Sequence, residues 1–493
     1  MRKTVRHAAW NVWALAAVLA TFRLSVRESP LLASSRTLDH SAPAESARSQ
    51  EARLAGSYRF ERNGWIYVHL QGSPEDIGFQ HGYLLAPEIA DAFRAVRLEE
   101  VHQTERGWSF YRRAARKMLW PKIDPEYQAE LRGIVEGLRA RGVSLDLDDI
   151  VALNAFQELP DYYVPWYDAR HLQSLNRLNP NRFEHCSAFI ATGSYTRHHD
   201  IVMGHNNWAS YVDGERWRII FDIVPERGYR ILMDGFPGVI TSDDDFGINS
   251  DGMMVTETTI SGFFGWNPNG VPEFERSRKA LQYAGSIDDY VRIMNQGNNG
   301  GYANDWLLGD RKTGEIARFE QGLTHWRLWR KKDGYFVGAN FPSDPQVIAE
   351  ETTFNPNDPS NSDNARHLRW EQLMRQYKGK IDVSLAETFE ADHYDAFSRT
   401  EGADERTLCS HMDLCPRGPD PFDPFGATQA KVTDSELAAH MSLIARLGHP
   451  CGQNFYAGPF LAAHPQFDWE RLILHDMLAY PWTRFSSGEK RTD

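Results

Sequence analysis

Between Phe183 and Ser194 the chain reads FEHCSAFIATGS. Cys186 stands at the junction of two unlike segments. Before it, Leu175 to His185 (LNRLNPNRFEH) carries Pro180 and several asparagines, the composition of an exposed loop. After it, Ser187 to Gly193 is a short apolar run of strand type. One reading is a buried free cysteine at a strand start, packed as a small hydrophobe. The other is a cysteine that becomes a new N-terminus. If the His185–Cys186 bond is cut, the freed α-amine lies within reach of its own sulfur. An α-amine titrates at about pH 7.7–8.0. A thiol attacks a carbonyl carbon well only as thiolate, so one residue would then supply nucleophile and base together.

Beyond this junction, SYTRHHD turns the chain and IVMGHNNW forms a second strand. The two ends of such a hairpin lie side by side. Cys186 and the stretch His205 to Trp208 are therefore expected to be neighbours. His205 and Asn206 are candidates to orient the amine or bind a substrate carbonyl; a polar strand end bonded to a turn is the plain alternative. RWRIIFDIV, YRILMDGF and GMMVTETTI continue the strand series, and DWLLGD, GEIARFEQ and YFVGANF resume it after helical patterns at 274–284 and 287–295. Further helices are predicted at 365–376 and 434–445. Upstream of Cys186, WIYVHL (65–70) reads as a strand, and helical patterns come after it at 125–141 and 147–158. Ser73 can cap a helix there, with Pro74 in its first turn and Glu75 and Asp76 at its positive end. The fold class is α+β, with packed antiparallel sheets covered by helices.

The 493 residues carry 54 basic and 67 acidic side chains, a formal net charge of −13, which argues against nucleic acid as a partner. Hydrophobic residues make up 41% and charged residues 25%, ordinary for a globular chain. The N-terminus has the basic start and short apolar core of a secretory signal, and an uncleaved signal anchor fits the same residues. Residues 1–29 are thus read as signal peptide or signal anchor, 30–56 as a disordered linker rich in Ser, Ala, Arg and Glu, and 57–185 as a mainly helical segment. Secretion, a periplasmic or lysosome-like lumen, or anchoring through the N-terminus are the locations this allows. Membrane contact is expected only through that segment or a lipid substrate.

Asp243–Asp245 reads as a solvated turn or a cation site. In TETTI, alternation sends Glu257 and Thr259 to one face and Thr258 to the other. NNGGYANDW (298–306) offers asparagine amides, which donate to an oxyanion without carrying charge, on a segment whose glycines admit a ligand. His198, His199, His205 and Cys451 form no tight ligand spacing, so neither metal nor cofactor is expected. Cys409 and Cys415 are close enough in LCSHMDLC to bridge, or to stand as two reduced thiols.

Taken in order, HCSAFIATGS, GHNNWASY, DGFPGVITSDDDFGINSDGMMVTETTI, NNGGYANDW and FGATQAKVTDSELA resemble the phospholipase B-like (lamina ancestor) family. GSPEDIGFQHGYLLAPEI and LRGIVEGLRARG are similar to the related cysteine acyltransferases that process acyl-amides. The likeness spans about Gly64 to Phe485. It implies an N-terminal nucleophile hydrolase fold, an αββα four-layer sandwich, with residues 186–493 as the catalytic body. The segment 57–185 then acts as a propeptide that stays associated after self-cleavage between His185 and Cys186. The likeness further implies Cys186 as nucleophile, His205 and Trp208 as positioning groups, Asn304 as oxyanion donor, and Thr258, Asn206 and Arg366 around the substrate. It implies cleavage of an acyl ester or amide bond, with a small acyl compound such as a phospholipid as partner; a homo-oligomer is compatible with it. Trp208 stands where the acyltransferases have an aspartate, and His449 and Cys451 depart from the family pattern. Those departures keep open an exported binding protein of the same fold without turnover.

Overall fold

The structure is a computed structural model describing residues 49–171, 186–418 and 421–490. The signal or anchor segment, most of the expected linker and His185 lie outside the described residues.

Strands β1 (Tyr58–Arg62) and β2 (Trp65–Gly72) precede Cys186. Strands β3 (Ser187–Thr192) and β4 (Val202–Ser210) come directly after it. Next are β5 (Ile219–Pro225), β6 (Ile231–Gly235), β7 (Gly247–Asn249), β8 (Met253–Thr259), β9 (Asn304–Asp310), β10 (Glu315–Gln321), β11 (Trp326–Lys331) and β12 (Gly334–Gly338). A small ribbon, β13 (Tyr394–Asp395) and β14 (Thr400–Glu401), leads to β15 (Phe425–Asp434), β16 (Ser442–Leu447) and β17 (Thr483–Ser486). The larger sheet has nine strands in the order β1-β2-β5-β6-β7-β8-β9-β10-β11, and the smaller has six in the order β12-β3-β4-β15-β16-β17. Within them, among the described residues, only β2 and β5 pair in parallel. Helices and sheets of this mixture make the class α+β.

Period-two alternation sorts the side chains into separate cores. Ala188 and Ile190 of β3 share a buried cluster with Tyr67, Ile220, Met254, Leu307 and Leu443, which joins the facing sides of the two sheets. Phe189 and Ala191 point the other way, onto Trp370, Leu373 and Phe389 of helices Ser362–Gln376 and Val383–Glu390. The outer face of the larger sheet, through Val68, Phe221 and Val255, packs on Ile77, Leu131 and Ile134 of helices Pro74–Leu84 and Pro125–Ala140. Each large side chain buried in this way contributes about 1.5–3 kcal/mol.

Those last two helices touch backbone to backbone. A Cβ on Gly78 would stand 1.9 Å from the Glu130 carbonyl oxygen, and one on Gly133 would stand 2.5 Å from that of Glu75. Gly82 and Gly137 are confined in the same way, at 2.1 and 2.3 Å from Ile134 O and Phe79 O. The repeats GFQHG and GIVEG are therefore a packing seam. Gly82→Ala is expected to lower the unfolding free energy by about 1–3 kcal/mol, because backbone cannot move aside as a side chain can. Denaturant melts of the variant check this; an unchanged midpoint would show that the helices separate at no cost.

Two expectations need revision. The helix predicted at 434–445 is a short helix, Ser435–Ala439, followed by β16, because Leu443, Ala445 and Leu447 alternate into the inter-sheet core. Residues 50–54 of the expected linker form a helix, Gln50–Leu54, capped by the Ser49 side chain and tied down by Arg53 to Glu136. The segment before Cys186 carries the strand expected at 65–70, as β2, together with β1, and both belong to the nine-stranded sheet that includes strands after the cysteine.

Candidate functional site

The hairpin expected around Cys186 is present. β3 and β4 pair antiparallel, with Ser187 opposite Asn206 and Ala188 opposite His205. Cys186 is buried at the head of β3. Its Sγ lies 4.0 Å from Asn207 Oδ1 and accepts the backbone N–H of Trp208. The sulfur, a ring nitrogen of His205 and a carboxylate oxygen of Glu257 all lie within 4.8 Å of one another. Burial, and then the Glu257 carboxylate, push the Cys186 thiol well above its ordinary range; the Trp208 N–H opposes them.

Arg366 clamps the main chain at this point. It donates to the Cys186 carbonyl at 2.6 Å and to Ser187 Oγ at 3.0 Å. Its other amine donates to Asn340 Oδ1 and Asp363 Oδ1, each at 3.0 Å. Its guanidinium lies 4.4 Å above the Trp208 ring, and the Trp208 Nε1–H donates to the Leu408 carbonyl at 3.1 Å.

His205 is buried, with Nδ1 3.9 Å from Asp244 Oδ2. Burial, and then the Lys431 ammonium, push its pKa down to about 3. Lys431, on β15 opposite His205, is itself held by Asp234 at 2.9 Å and by Asp244. The three aspartates expected in a solvated turn are thus buried: Asp244 pairs with Lys431, and Asp245 accepts from Ser277 and from Trp306 Nε1.

Alternation corrects two assignments. Asn206 is turned away from the sulfur, its amide donating to the Glu390 and Leu408 carbonyls at 2.8 Å. Its neighbour Asn207 faces the cysteine instead, and Asn207 Nδ2 is buried without a hydrogen-bond partner. Thr258 points at Gly338, where a Cβ would meet its Oγ1 at 2.5 Å; Thr259 lines the cavity in its place. Asn304 pairs with Thr259 across β8 and β9, and both polar atoms of its side-chain amide are buried without a partner. An unpaired buried amide costs about 1–3 kcal/mol, so such groups collect where a ligand or intermediate completes them.

Cys186, Asn207, Trp208 and Thr259 open on a cavity of about 1440 Å³. Phe263, Trp266, Phe467 and Trp469 give it apolar walls, and Glu99, Asp423 and Glu470 line it as well. Burial, then the carboxylates of Glu99 and Asp423, raise Glu470 to about 9. A free glutamate titrates at about 4.3. Between these values the folded chain keeps a proton that the unfolded chain releases. The stability is therefore full below about pH 4.3 and is lost as pH rises towards about 9. Glu470→Gln should flatten the fall in melting temperature between about pH 5 and about pH 9. Equal slopes for variant and wild type would show that Glu470 does not titrate in this way.

The sulfur pairing left open for Cys409 and Cys415 is not formed. All four cysteines are free. Cys415 donates to Glu405, whereas Cys409 faces His411 and the distant Cys451.

Comparison with known proteins bears on the whole arrangement. A family model described as Phospholipase B matches residues 102–325, the stretch holding Cys186, His205, Asn207, Trp208 and Asn304. Phospholipase B-like 1 of Homo sapiens is 24% identical over 446 residues, 80% of this chain and 76% of the human protein. Over these stretches the chain is similar to phospholipase B-like proteins. Phospholipase B of Crotalus adamanteus is 24% identical over 435 residues, 76% of this chain and 75% of the snake protein. An uncharacterised protein of Archaeoglobus fulgidus is 24% identical over 271 residues, 51% of this chain and 42% of its own length. The chain spans about half the length of the first curated relatives it matches. No helix among the described residues is long and apolar enough to cross a membrane.

Proposed function

We propose that this chain is a cysteine hydrolase of acyl ester or amide bonds, with the αββα architecture of N-terminal nucleophile enzymes, activated by cleavage between His185 and Cys186. One observation carries the reading. The Cys186 sulfur sits on the wall of a large, partly aromatic cavity, beside the unpaired Asn207 amide, with its own carbonyl held by buried Arg366.

The choice of base is a matter of magnitude. His205 at about 3 is a poor acceptor for a thiol pushed above its ordinary range. The α-amine freed by cleavage, at about 7.7–8.0, is the better match. In the proposed cycle that amine takes the thiol proton and the sulfur attacks the acyl carbon. The oxyanion is held by the Asn304 or Asn207 amide. The amine returns the proton to the departing alcohol or amine, leaving a thioester. It then takes a proton from water, whose oxygen attacks the thioester, and the carboxylic acid leaves as the thiol is restored. His205 and Trp208 position these groups. The apolar walls suit an acyl chain, and the names of the human and snake relatives favour a phospholipid as its source. The signal-like N-terminus supports an exported location.

Purified protein should run as two associated fragments, the larger beginning Cys-Ser-Ala-Phe, and should turn over at least one member of a panel of acyl esters and amides. An intact chain that is active removes the proposal. The high thiol pKa of the uncleaved chain favours the second reading, an exported binding protein. A thiol-reactive acyl probe separates the two, since a binder should label at Cys186 no better than denatured protein does.

A further inference from the structure

We propose that His393, Cys409, His411 and Cys451 hold a structural zinc ion. The four residues come from three separate segments. His393 follows helix Val383–Glu390, Cys409 and His411 lie between β14 and β15, and Cys451 follows β16. One ligating atom from each lies within 4.8 Å of all the others. Cys409 and His411 are fully buried, and His393 and Cys451 are partly so.

The spacing is that of a coordination shell. Zinc binds sulfur at about 2.3 Å and imidazole nitrogen at about 2.0–2.1 Å, which for a tetrahedron sets sulfur and nitrogen about 3.6 Å apart. Cys409 Sγ lies 3.6 Å and Cys451 Sγ 3.4 Å from the same His411 Nε2. His393 Nε2 is buried with no hydrogen-bond partner, and one ring nitrogen of His393 lies within the cluster. Cys451 Sγ accepts the Gln453 N–H at 3.5 Å, a bond that favours a thiolate. The His411 ring is steadied against that of His449, with centroids 3.8 Å apart. A disulfide between Cys409 and Cys451 would use the sulfurs but leave both imidazoles without a purpose. Two thiolates and two imidazoles with no open position suit zinc in a structural role.

The ion would pin a loop that serves the cysteine site. Leu408, next to Cys409, presents the carbonyl that accepts from both Trp208 Nε1 and Asn206 Nδ2. Trp208 and Cys409 also share a small buried cluster. Zinc would thus hold the floor beneath the Trp208 ring, whether or not Cys186 is catalytic.

Metal analysis of the full-length protein, produced with zinc in the medium, tests this. About one zinc per chain is expected, falling to background in Cys409→Ser/Cys451→Ser. Protein stripped by chelator under reducing conditions should take up cobalt(II) with thiolate-to-metal charge-transfer absorption and the strong visible bands of a tetrahedral site. Should the double variant fail to fold, His393→Gln keeps the test open. It is expected to bind zinc more than about 100-fold more weakly with the fold intact, since even loss of an outer-shell partner costs about 10–100-fold. A Cys409–Cys451 disulfide in natively isolated protein overturns the proposal. So does reduced protein that takes up no cobalt, or a zinc content that the variants leave unchanged.

Discussion

Cys186→Ala should leave the chain in one piece and reduce hydrolysis by on the order of 10⁴–10⁶-fold, the range met when a nucleophile is deleted from a preorganised site. The substitution removes one buried sulfur and disturbs no hydrogen bond of Arg366, which grips the backbone carbonyl and not the side chain. Folding should therefore be nearly unaffected, so lost activity can be assigned to chemistry. Cys186→Ser separates the two roles of the residue. Its hydroxyl can still attack the preceding peptide bond, slowly, but it is a weak nucleophile towards substrate at neutral pH. Gel mobility, N-terminal sequencing and single-turnover hydrolysis of the two variants decide the matter. Fragments from Cys186→Ala would mean that another protease makes the cut. Turnover by Cys186→Ala would end the cysteine mechanism altogether.

Asn304→Ala should lower kcat by about 100–1000-fold with KM little changed, the signature of a donor that works only on a developing oxyanion. The same variant should not melt earlier than wild type. Its side-chain amide is buried with neither atom paired, so the folded protein already bears about 1–3 kcal/mol of desolvation that alanine removes. A structural asparagine would behave in the opposite way, losing stability along with activity. Kinetics and thermal melts on the cleaved protein distinguish these outcomes. Unchanged kcat would hand the oxyanion role to Asn207.

Both variants act on groups whose identity is legible in one dimension to different degrees. Cys186 stands out because a polar loop meets an apolar strand there. The β3–β4 hairpin is implied by the short turn between two strand patterns, and it brings His205 and Trp208 beside the cysteine. Asn207 escapes such a reading because GHNNW offers two adjacent amides, and only the pleat decides which faces the sulfur. The signal that could have found it is parity. Asn207 and His205 are two residues apart and share a face, while Asn206 shares its face with Trp208.

Local composition and periodicity suffice for the α+β class, the strand series, the separate helices near Pro74 and Pro125 and the position of the cysteine, since each depends on residues a few places apart. Whatever depends on distant segments is set by packing in three dimensions. Asp244 reads as a solvated acid until β15 brings Lys431 to it across the inter-sheet core. His393, Cys409, His411 and Cys451 have no motif spacing, yet three loops gather them within 4.8 Å. Spacing along a chain encodes only neighbours within a turn or a strand pair, whereas the free energy of burying charges and thiols is settled by whichever partners the packed sheets bring together.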